Sequence, residues 1–145
     1  MNIKITPMTL SDVDTIKNNL ISDFDNFWTY QILKEELKSK NSSYLVAKMN
    51  DKIVGFAGIK VILDEADIMN IVIKKNYRNQ GIGTLLLENL IFLAKNLNLK
   101  SLSLEVSEKN SPAIHLYQKF GFESLGVRKN YYQDKNGYIM TKKLN

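Results

Sequence analysis

The sequence predicts a mixed α/β (α+β) fold in which one β-sheet is flanked by helices. Segments with the alternating pattern of strands and segments with the three- and four-residue spacing of helices follow the order βαα, βββ, α, β, α, ββ. No repeat, low-complexity tract or proline-rich linker interrupts the 145 residues, a length typical of one domain. We therefore expect a single domain over residues 1–145.

The first half of the chain begins with a predicted strand at residues 2–6, in which Ile3 and Ile5 alternate with polar residues. Ser11 is expected to cap the first of two helices. Asn50-Asp51 is typical of a tight turn between two strands. The second to fourth strands are predicted at residues 43–49, 53–63 and 66–73. The apolar residues expected on the two helices are Val13, Ile16, Leu20, Ile32, Leu33 and Leu37.

The second half begins with a long helix, predicted at residues 81–97 and followed by a strand at 101–106. Asn110 and Pro112 are typical of a helix start, since a cap residue precedes a proline in the first turn, and Gly121 is expected to end that helix. The last two strands and the turn between them are predicted at residues 122–128, 138–143 and 134–137. The apolar residues on one side of the long helix are Ile82, Leu86, Leu90, Leu93 and Leu97.

The composition, 44% apolar and 24% charged, is that of an ordinary globular protein. No apolar run is long enough to span a membrane and residues 1–4 show no signal-peptide pattern, so we expect no membrane association and a cytoplasmic location. Cysteine is absent, which excludes disulfides, thiolate metal sites and a cysteine nucleophile. His115 is the one histidine, so a multi-histidine metal site is excluded and no metal is expected.

The net charge of +5 is unevenly distributed along the chain. Residues 1–70 carry 8 lysines and 10 carboxylates, whereas residues 71–145 carry 12 basic and 5 acidic residues. A basic half is compatible with a nucleic-acid or polyphosphate ligand, although most surface lysines simply contact solvent.

Residues 78–83, Arg-Asn-Gln-Gly-Ile-Gly, lie between an apolar strand and a leucine-rich helix. Backbone N–H groups at such a helix start lack partners and bind phosphate oxygens, and glycines permit close approach. A dinucleotide fingerprint is excluded because Leu86 occupies the position of its third glycine. A Walker loop is excluded because Thr84 follows Gly83 where that motif has lysine. The segment is either a pocket for another pyrophosphate carrier or a plain helix start.

Together with this motif, three downstream strings resemble the GNAT family of acetyl-CoA-dependent N-acetyltransferases. They are Leu104-Glu105-Val106 leading to Asn110, the sequence AIHLYQKFGF at residues 113–122, and Arg128-Lys129-Asn130-Tyr131-Tyr132. Within the family they are most similar to ribosomal-protein-alanine N-acetyltransferases. The resemblance covers nearly the whole chain. It implies a mostly antiparallel central sheet that is splayed between its fourth and fifth strands.

The resemblance also implies where acetyl-CoA binds. The backbone N–H groups of residues 80–84 would hold the pyrophosphate, with screening charge from Arg78, Lys74 and Lys75. Main-chain groups of the strand at 71–73 would pair with the pantetheine amides, although the same residues would also serve as ordinary core. The cofactor-binding residues implied are Ile71, Val72, Ile73, Arg78, Asn79, Gln80, Gly81, Ile82, Gly83, Thr84, Asn110 and Tyr117.

Glu105 is the candidate general base, since it lies on the strand face opposite Leu104 and Val106 and the matching family residue accepts the amine proton. Tyr117 is the candidate general acid that protonates the leaving thiolate. The alternatives are an exposed strand residue for Glu105 and a core aromatic for Tyr117. His115 lies about 200° around the helix from Tyr117 and is expected to point away. Without a cysteine, direct transfer in a ternary complex is expected.

The acceptor is predicted to be a primary amine. An α-amine, with a pKa of ~7.7–8.0, is easier to deprotonate than a lysine at ~10.4, which favours a protein N-terminus. Phe27, Trp28 and Tyr30 would line its entrance or pack in the core, and Tyr131 and Tyr132 would clamp a peptide or face solvent. Acidic residues expected to form a rim that attracts a basic protein terminus, such as that of a ribosomal protein, are Asp12, Asp14, Asp23, Asp25, Glu35 and Glu36.

Two other functions remain open at this point. A small-molecule amine, such as a polyamine or an aminoglycoside, or a lysine side chain would fit the same acidic rim. A non-catalytic module that binds coenzyme A or the ribosome is the third possibility, but it would need neither Glu105 nor Tyr117. We expect no direct contact with nucleic acid and a protein that is a monomer or weak dimer.

Overall fold

The computed structural model describes residues 2–24, 28–132 and 135–144, and only the backbone of 128–132 and 135. The strands are β1 (Ile3–Pro7), β2 (Ser42–Met49), β3 (Lys52–Ile62), β4 (Glu65–Ile73), β5 (Ser101–Ser107), β6 (Glu123–Tyr132) and β7 (Lys135–Lys143). The α-helices are α1 (Leu10–Ile16), α2 (Tyr30–Lys38), α3 (Ile82–Asn96) and α4 (Ser111–Lys119). A 3₁₀ turn, Lys75–Tyr77, connects β4 towards α3. The predicted order of elements is confirmed.

The described strands form one mixed sheet in the order β1-β2-β3-β4-β5-β7-β6. Neighbouring strands are antiparallel except β4 and β5, which are parallel. The parallel ladder consists of the pairs Glu65–Ser101, Ala66–Leu102 and Asp67–Ser103. Beyond these pairs β4 continues to Ile73 and β5 to Ser107, so the sheet is open between them. The predicted mostly antiparallel, splayed sheet is confirmed.

Each face of the sheet carries its own hydrophobic cluster, because successive strand residues point to opposite faces. On one face, Leu86 and Leu90 of α3 are fully buried against Leu102 of β5. On the other face, Val13 of α1 and Leu33 of α2 are fully buried. The two clusters fix α3 on one side of the opening in the sheet and the α1–α2 pair on the other.

The start of α1 corrects the prediction that Ser11 is the cap, because Thr9 occupies that position. Asp12 N–H donates to Thr9 Oγ1 at 3.1 Å, and Thr9 N–H donates to Asp12 Oδ2 at 2.9 Å, a reciprocal capping box. Ser11 instead lies inside the first turn of α1, where its carbonyl accepts from Thr15 Oγ1 at 2.9 Å. Helix α1 also ends at Ile16, so Leu20, predicted to lie on it, is buried in the following turn.

The C-terminal hairpin is longer than predicted. Residues 135–137, expected in the turn, belong to β7, where Gly137 pairs with Ser107 of β5 and with Arg128 of β6. Asn136 is anchored further because its carbonyl accepts from Glu108 N–H at 3.0 Å. Pairing with β5 thus extends the strand through residues whose composition is typical of a turn.

In the part of the chain that the structure describes, no helix has the length and apolar character needed to cross a membrane.

Candidate active site

Helix α3 begins without a side-chain cap, unlike the other described α-helices. Gly81 is its N-cap, with a left-handed φ of 86°, and no side chain accepts from the first turn. By contrast, Thr9, Thr29 and Asn110 cap α1, α2 and α4. The first N–H groups of an α-helix have no partner within the helix. The donors at residues 82–84 are therefore available to an external acceptor, and the helix dipole favours an anion there.

A cavity of about 540 Å³ adjoins this uncapped helix start. It extends from the end of β4 to the first turns of α4, where Pro112, Ala113 and Leu116 complete its wall. A Cβ at Gly81 would meet nothing within 4 Å, so the cavity is open at that point. Residues of the predicted cofactor site that line it are Ile71, Val72, Ile73, Arg78, Asn79, Gly81, Ile82, Gly83, Thr84 and Asn110.

The exposed edge of β4 contributes main-chain groups beside this cavity. Lys74 N–H donates to Val54 O of β3 at 2.8 Å, and the register pairs Val72 with Phe56. In an antiparallel ladder, bonded and non-bonded pairs alternate. Ile71 and Ile73 are thus in non-bonded pairs, and their N–H and C=O groups point away from β3, towards the opening in the sheet. Val72 also lines the cavity, but its main chain bonds within the sheet and its side chain packs against the cluster under α1 and α2.

Arg78 is engaged in holding the loop that precedes α3. Its Nε donates to Ile73 O at 3.1 Å, and its Nη2 donates to Phe24 O at 3.3 Å. The guanidinium therefore joins the end of β4 to the segment after α1 as well as lining the cavity. The Gln80 side chain lies outside this cavity, because its Nε2 donates back to Asn76 O at 3.4 Å.

Glu105 lines a second cavity, of about 500 Å³, at the point where β4 and β5 begin to part. It is half-buried, whereas Leu104 and Val106 on the other face are buried, as the alternation predicts. Asp67 lines the same cavity and shares its face with Glu105, because it pairs with Ser103 two residues earlier on β5. Partial desolvation raises the pKa of the Asp67 carboxyl even though it is accessible to solvent, and the charges of Glu105 and Glu65 raise it further.

Asp67 was missed by the sequence prediction. Its signal is a carboxylate in a strand whose neighbours Ala66 and Ile68 are apolar, the same pattern that identified Glu105. Only the pairing of β4 with β5 places the two carboxylates on one face.

Helix α4 carries the remaining predicted residues. Asn110 Oδ1 accepts from Ala113 N–H at 3.3 Å, so Asn110 caps the helix as well as lining the first cavity. Tyr117 is half-buried and packs edge-to-face on Phe122, with ring centroids 5.8 Å apart. Tyr117 is among the lining residues of neither cavity, although Leu116, its neighbour, lines the first. His115 is exposed.

Two of the acidic residues predicted to form a rim around α1 and α2 have lysine partners inside the protein. Asp12 is buried and its Oδ1 lies 2.9 Å from Lys48 Nζ. Glu36 Oε2 lies 3.6 Å from Lys60 Nζ. The prediction of an acidic rim is therefore wrong for Asp12 and Glu36, which act as structural partners. Asp14, which accepts from the Tyr30 hydroxyl, and Glu35 are exposed and Asp23 is half-buried, so for them the rim stays a prediction.

The aromatic residues predicted at the acceptor entrance are only partly described. Trp28 packs against the cluster under α1 and α2. The Tyr30 ring lies 5.6 Å and 5.5 Å from the Nζ atoms of Lys17 and Lys34. Phe27 and Asp25, together with the side chains of Tyr131 and Tyr132, lie outside the described residues.

Comparison with known proteins identifies the family. The sequence profile of the Acetyltransferase (GNAT) family matches residues 13–122. The chain belongs to the GNAT family of acetyltransferases. It is thus an acetyl-CoA-dependent N-acetyltransferase, as the sequence predicted.

Relatives and solved structures agree with this assignment. The ribosomal protein bS18-alanine N-acetyltransferase of Haemophilus influenzae is 42% identical over 112 residues, which cover 76% of this chain and 74% of that protein. The crystal structure of the Escherichia coli enzyme with this activity matches with a TM-score of 0.89 at 28% identity, over 99% of this chain and 95% of that one. A GNAT acetyltransferase from Elizabethkingia anophelis, crystallised with acetyl-CoA bound, matches with a TM-score of 0.80 at 25% identity, over 98% of both chains.

Proposed function

We propose that this enzyme transfers the acetyl group of acetyl-CoA to the N-terminal α-amine of a protein, in particular an alanine-starting ribosomal protein of the bS18 kind. The similarity to enzymes named for that acceptor carries the proposal. The two cavities beside the opening in the sheet supply the places that such a reaction needs, one for the donor and one for the acceptor amine. Since ribosomal proteins are made in the cytoplasm, we propose that the reaction occurs there.

The first cavity fits the donor by its chemistry. Pyrophosphate oxygens need several N–H donors at close range, and the uncapped start of α3 offers those of Ile82, Gly83 and Thr84. Pantetheine carries amides, which pair with the free main-chain groups of Ile71 and with Ile73 N–H as an added strand would. Ile73 O already accepts from Arg78, so the pantetheine would have to share that carbonyl. In this arrangement Arg78 fixes the loop and adds positive charge.

The second cavity fits the acceptor amine. Glu105 would accept the proton that the α-amine loses as its nitrogen attacks the thioester carbonyl. The tetrahedral intermediate then collapses with cleavage of the C–S bond, and Tyr117 would protonate the departing thiolate. Tyr117 lines neither cavity, so it would reorient or act through water to reach the sulfur. No covalent enzyme intermediate is needed, and the rate would come from positioning and proton transfer.

An acetyl-transfer assay tests the acceptor. Unmodified enzyme and acetyl-CoA are mixed with peptides that start with Ala, Ser, Met or Lys, and separately with spermidine and kanamycin. The proposal expects rapid transfer to the Ala peptide at its α-nitrogen, located by mass spectrometry. Turnover of spermidine or kanamycin without transfer to any peptide would replace the proposed acceptor by a small-molecule amine.

The role of Glu105 is tested with Glu105→Gln. We expect kcat to fall by roughly 10²–10⁴-fold, the usual contribution of a general base, while the Kd for acetyl-CoA is unchanged. Glu123→Gln is the matched control, since Glu123 is an exposed strand glutamate on β6 that lines neither cavity. A Glu105→Gln enzyme with unchanged kcat would exclude Glu105 as the base.

A further inference from the structure

We propose that Asp67 binds the ammonium form of the acceptor amine and positions it beside Glu105. The inference rests on the proposed function, because it assigns a second residue to the acceptor cavity. Asp67 is a positioning residue in this scheme, and Glu105 remains the proton acceptor. Asp67 would bind any primary ammonium group that enters the second cavity.

Geometry is the first argument. Asp67 belongs to the last paired position of the parallel ladder, and Glu105 lies two residues beyond its partner Ser103. All three residues line the second cavity. Ser103 is held in place because its Oγ lies 2.8 Å from Thr141 Oγ1, in a hydrogen bond across to β7. The two carboxylates are thus on one face of adjacent strands, at the rigid end of the opening.

The balance of protons is the second argument. Near neutral pH much of an α-amine is present as ammonium, which has no lone pair with which to attack. Two protons must leave the nitrogen during transfer, one to form the free amine and one when the amide forms. One of them ends on the coenzyme A sulfur, and the other is released to solvent. Glu105 can accept the proton that the amine loses on attack, and a second anion beside it would hold the ammonium in place until its first proton passes to solvent.

Electrostatics is the third argument. Within the described part of the chain no lysine or arginine forms an ion pair with Asp67, and the nearby charges of Glu105 and Glu65 are of like sign. Like charges in a partly desolvated cavity repel each other, and a cation placed between them removes that repulsion. The free enzyme therefore holds an arrangement of charge that an arriving ammonium stabilises.

Asn70 is a further polar group on this strand. Its Oδ1 is buried and has no hydrogen-bond partner in the described structure. On β4, Asn70 lies between the residues that line the second cavity and those that line the first. A donor on the acceptor or on pantetheine would satisfy this oxygen.

Asp67→Asn tests the inference, with Glu123→Gln as the matched control. Glu123 is an exposed strand carboxylate that lines neither cavity and does not act on the pKa of Asp67. We expect Asp67→Asn to raise the KM for the Ala peptide about tenfold, the size of a lost hydrogen bond to a charged group. The KM for acetyl-CoA stays unchanged, and Glu123→Gln changes neither constant by more than about twofold.

A neutral acceptor separates charge recognition from a structural role. The same peptide with an aminooxy group in place of its terminal amine is uncharged near neutral pH. Asp67→Asn should leave kcat/KM for this peptide within about twofold of the unmodified enzyme. An equal loss with both peptides, or no loss with the ammonium peptide, overturns the inference.

Failure of the proposed function gives a different result. If the unmodified enzyme acetylates spermidine but no peptide, the proposed acceptor is wrong, and the Asp67→Asn comparison is then made with spermidine. If no acceptor is turned over, calorimetric titration of the Ala peptide into the enzyme with coenzyme A compares the two proteins without turnover. In either case, equal values for Asp67→Asn and unmodified enzyme overturn the role of Asp67.

Discussion

Helices α1 and α3 both begin next to the sheet, but one start is closed by its own side chains and the other is open. At α1, Thr9 and Asp12 satisfy each other's backbone N–H groups, and Lys48 neutralises Asp12. At α3, Gly81 supplies no side chain, and a cavity adjoins the first turn. The same kind of backbone donor is therefore bonded to a side chain in α1 and left open to a ligand in α3. The residue at the N-cap makes the difference.

Removing the capping box at the start of α1 should have the largest effect on stability. Asp12→Ala deletes half of the capping box and leaves Lys48 without its partner, so we expect the free energy of unfolding to fall by about 2 kcal/mol. The Kd for acetyl-CoA should not change, because α1 does not line the donor cavity. Denaturant unfolding and calorimetric titration measure the two quantities. An unchanged free energy of unfolding would show that the capping box contributes nothing to stability.

A side chain added in the first turn of α3 should preserve stability and weaken acetyl-CoA binding. A Cβ at Gly83 would lie 3.9 Å from the Ile73 side chain, an ordinary contact, so Gly83→Ala fits the fold. We expect equal or slightly higher stability, by up to ~1 kcal/mol, because alanine favours a helix over glycine. The Kd for acetyl-CoA should rise about tenfold (~1.4 kcal/mol), since the methyl group occupies the approach of the pyrophosphate. Unchanged affinity would place the pyrophosphate elsewhere.

The smallest effect is expected in the pH dependence of stability that Asp12 causes. Burial raises the pKa of Asp12, but hydrogen bonds from Thr9 and the charge of Lys48 outweigh it, so the pKa lies below the ordinary 3.8. A carboxyl with a lowered folded-state pKa stabilises the fold above its unfolded-state pKa, and that stability is lost as pH falls through the folded value. The stability difference between the unmodified enzyme and Asp12→Asn should be constant near neutrality and shrink below about pH 3.8. A difference independent of pH would exclude the charge as its source.

The sequence was sufficient where the pattern is local. The placement of Glu105 on the face opposite Leu104 and Val106 followed from the apolar alternation, and the cap at Asn110 followed from a cap residue that precedes a proline. The prediction of Ser11 as the cap of α1 was wrong, since Thr9, also a good cap residue, lies two positions earlier and forms the capping box with Asp12.

What depends on non-local pairing was beyond the sequence. Asp67 and Glu105 line the second cavity together only through the register of β4 with β5, residues more than thirty positions apart. Arg78 could be predicted to lie near a phosphate, but not to donate to the carbonyls of Ile73 and Phe24. The acidic rim failed for the same reason, because Lys48 and Lys60 come from strands that the sequence did not place beside Asp12 and Glu36.

The short parallel ladder between β4 and β5 also determines how the fold can come apart. The β1–β4 part of the sheet and the β5–β7 part share the ladder from Glu65 to Asp67, and α3 packs across both. Cooperative units in proteins follow such contact boundaries, and native-state hydrogen exchange detects them. Amides on the two sides of the opening should therefore exchange as two groups whose protection is coupled chiefly through α3. The opening that we propose as the substrate cleft is also the place where neighbouring strands share the fewest pairs.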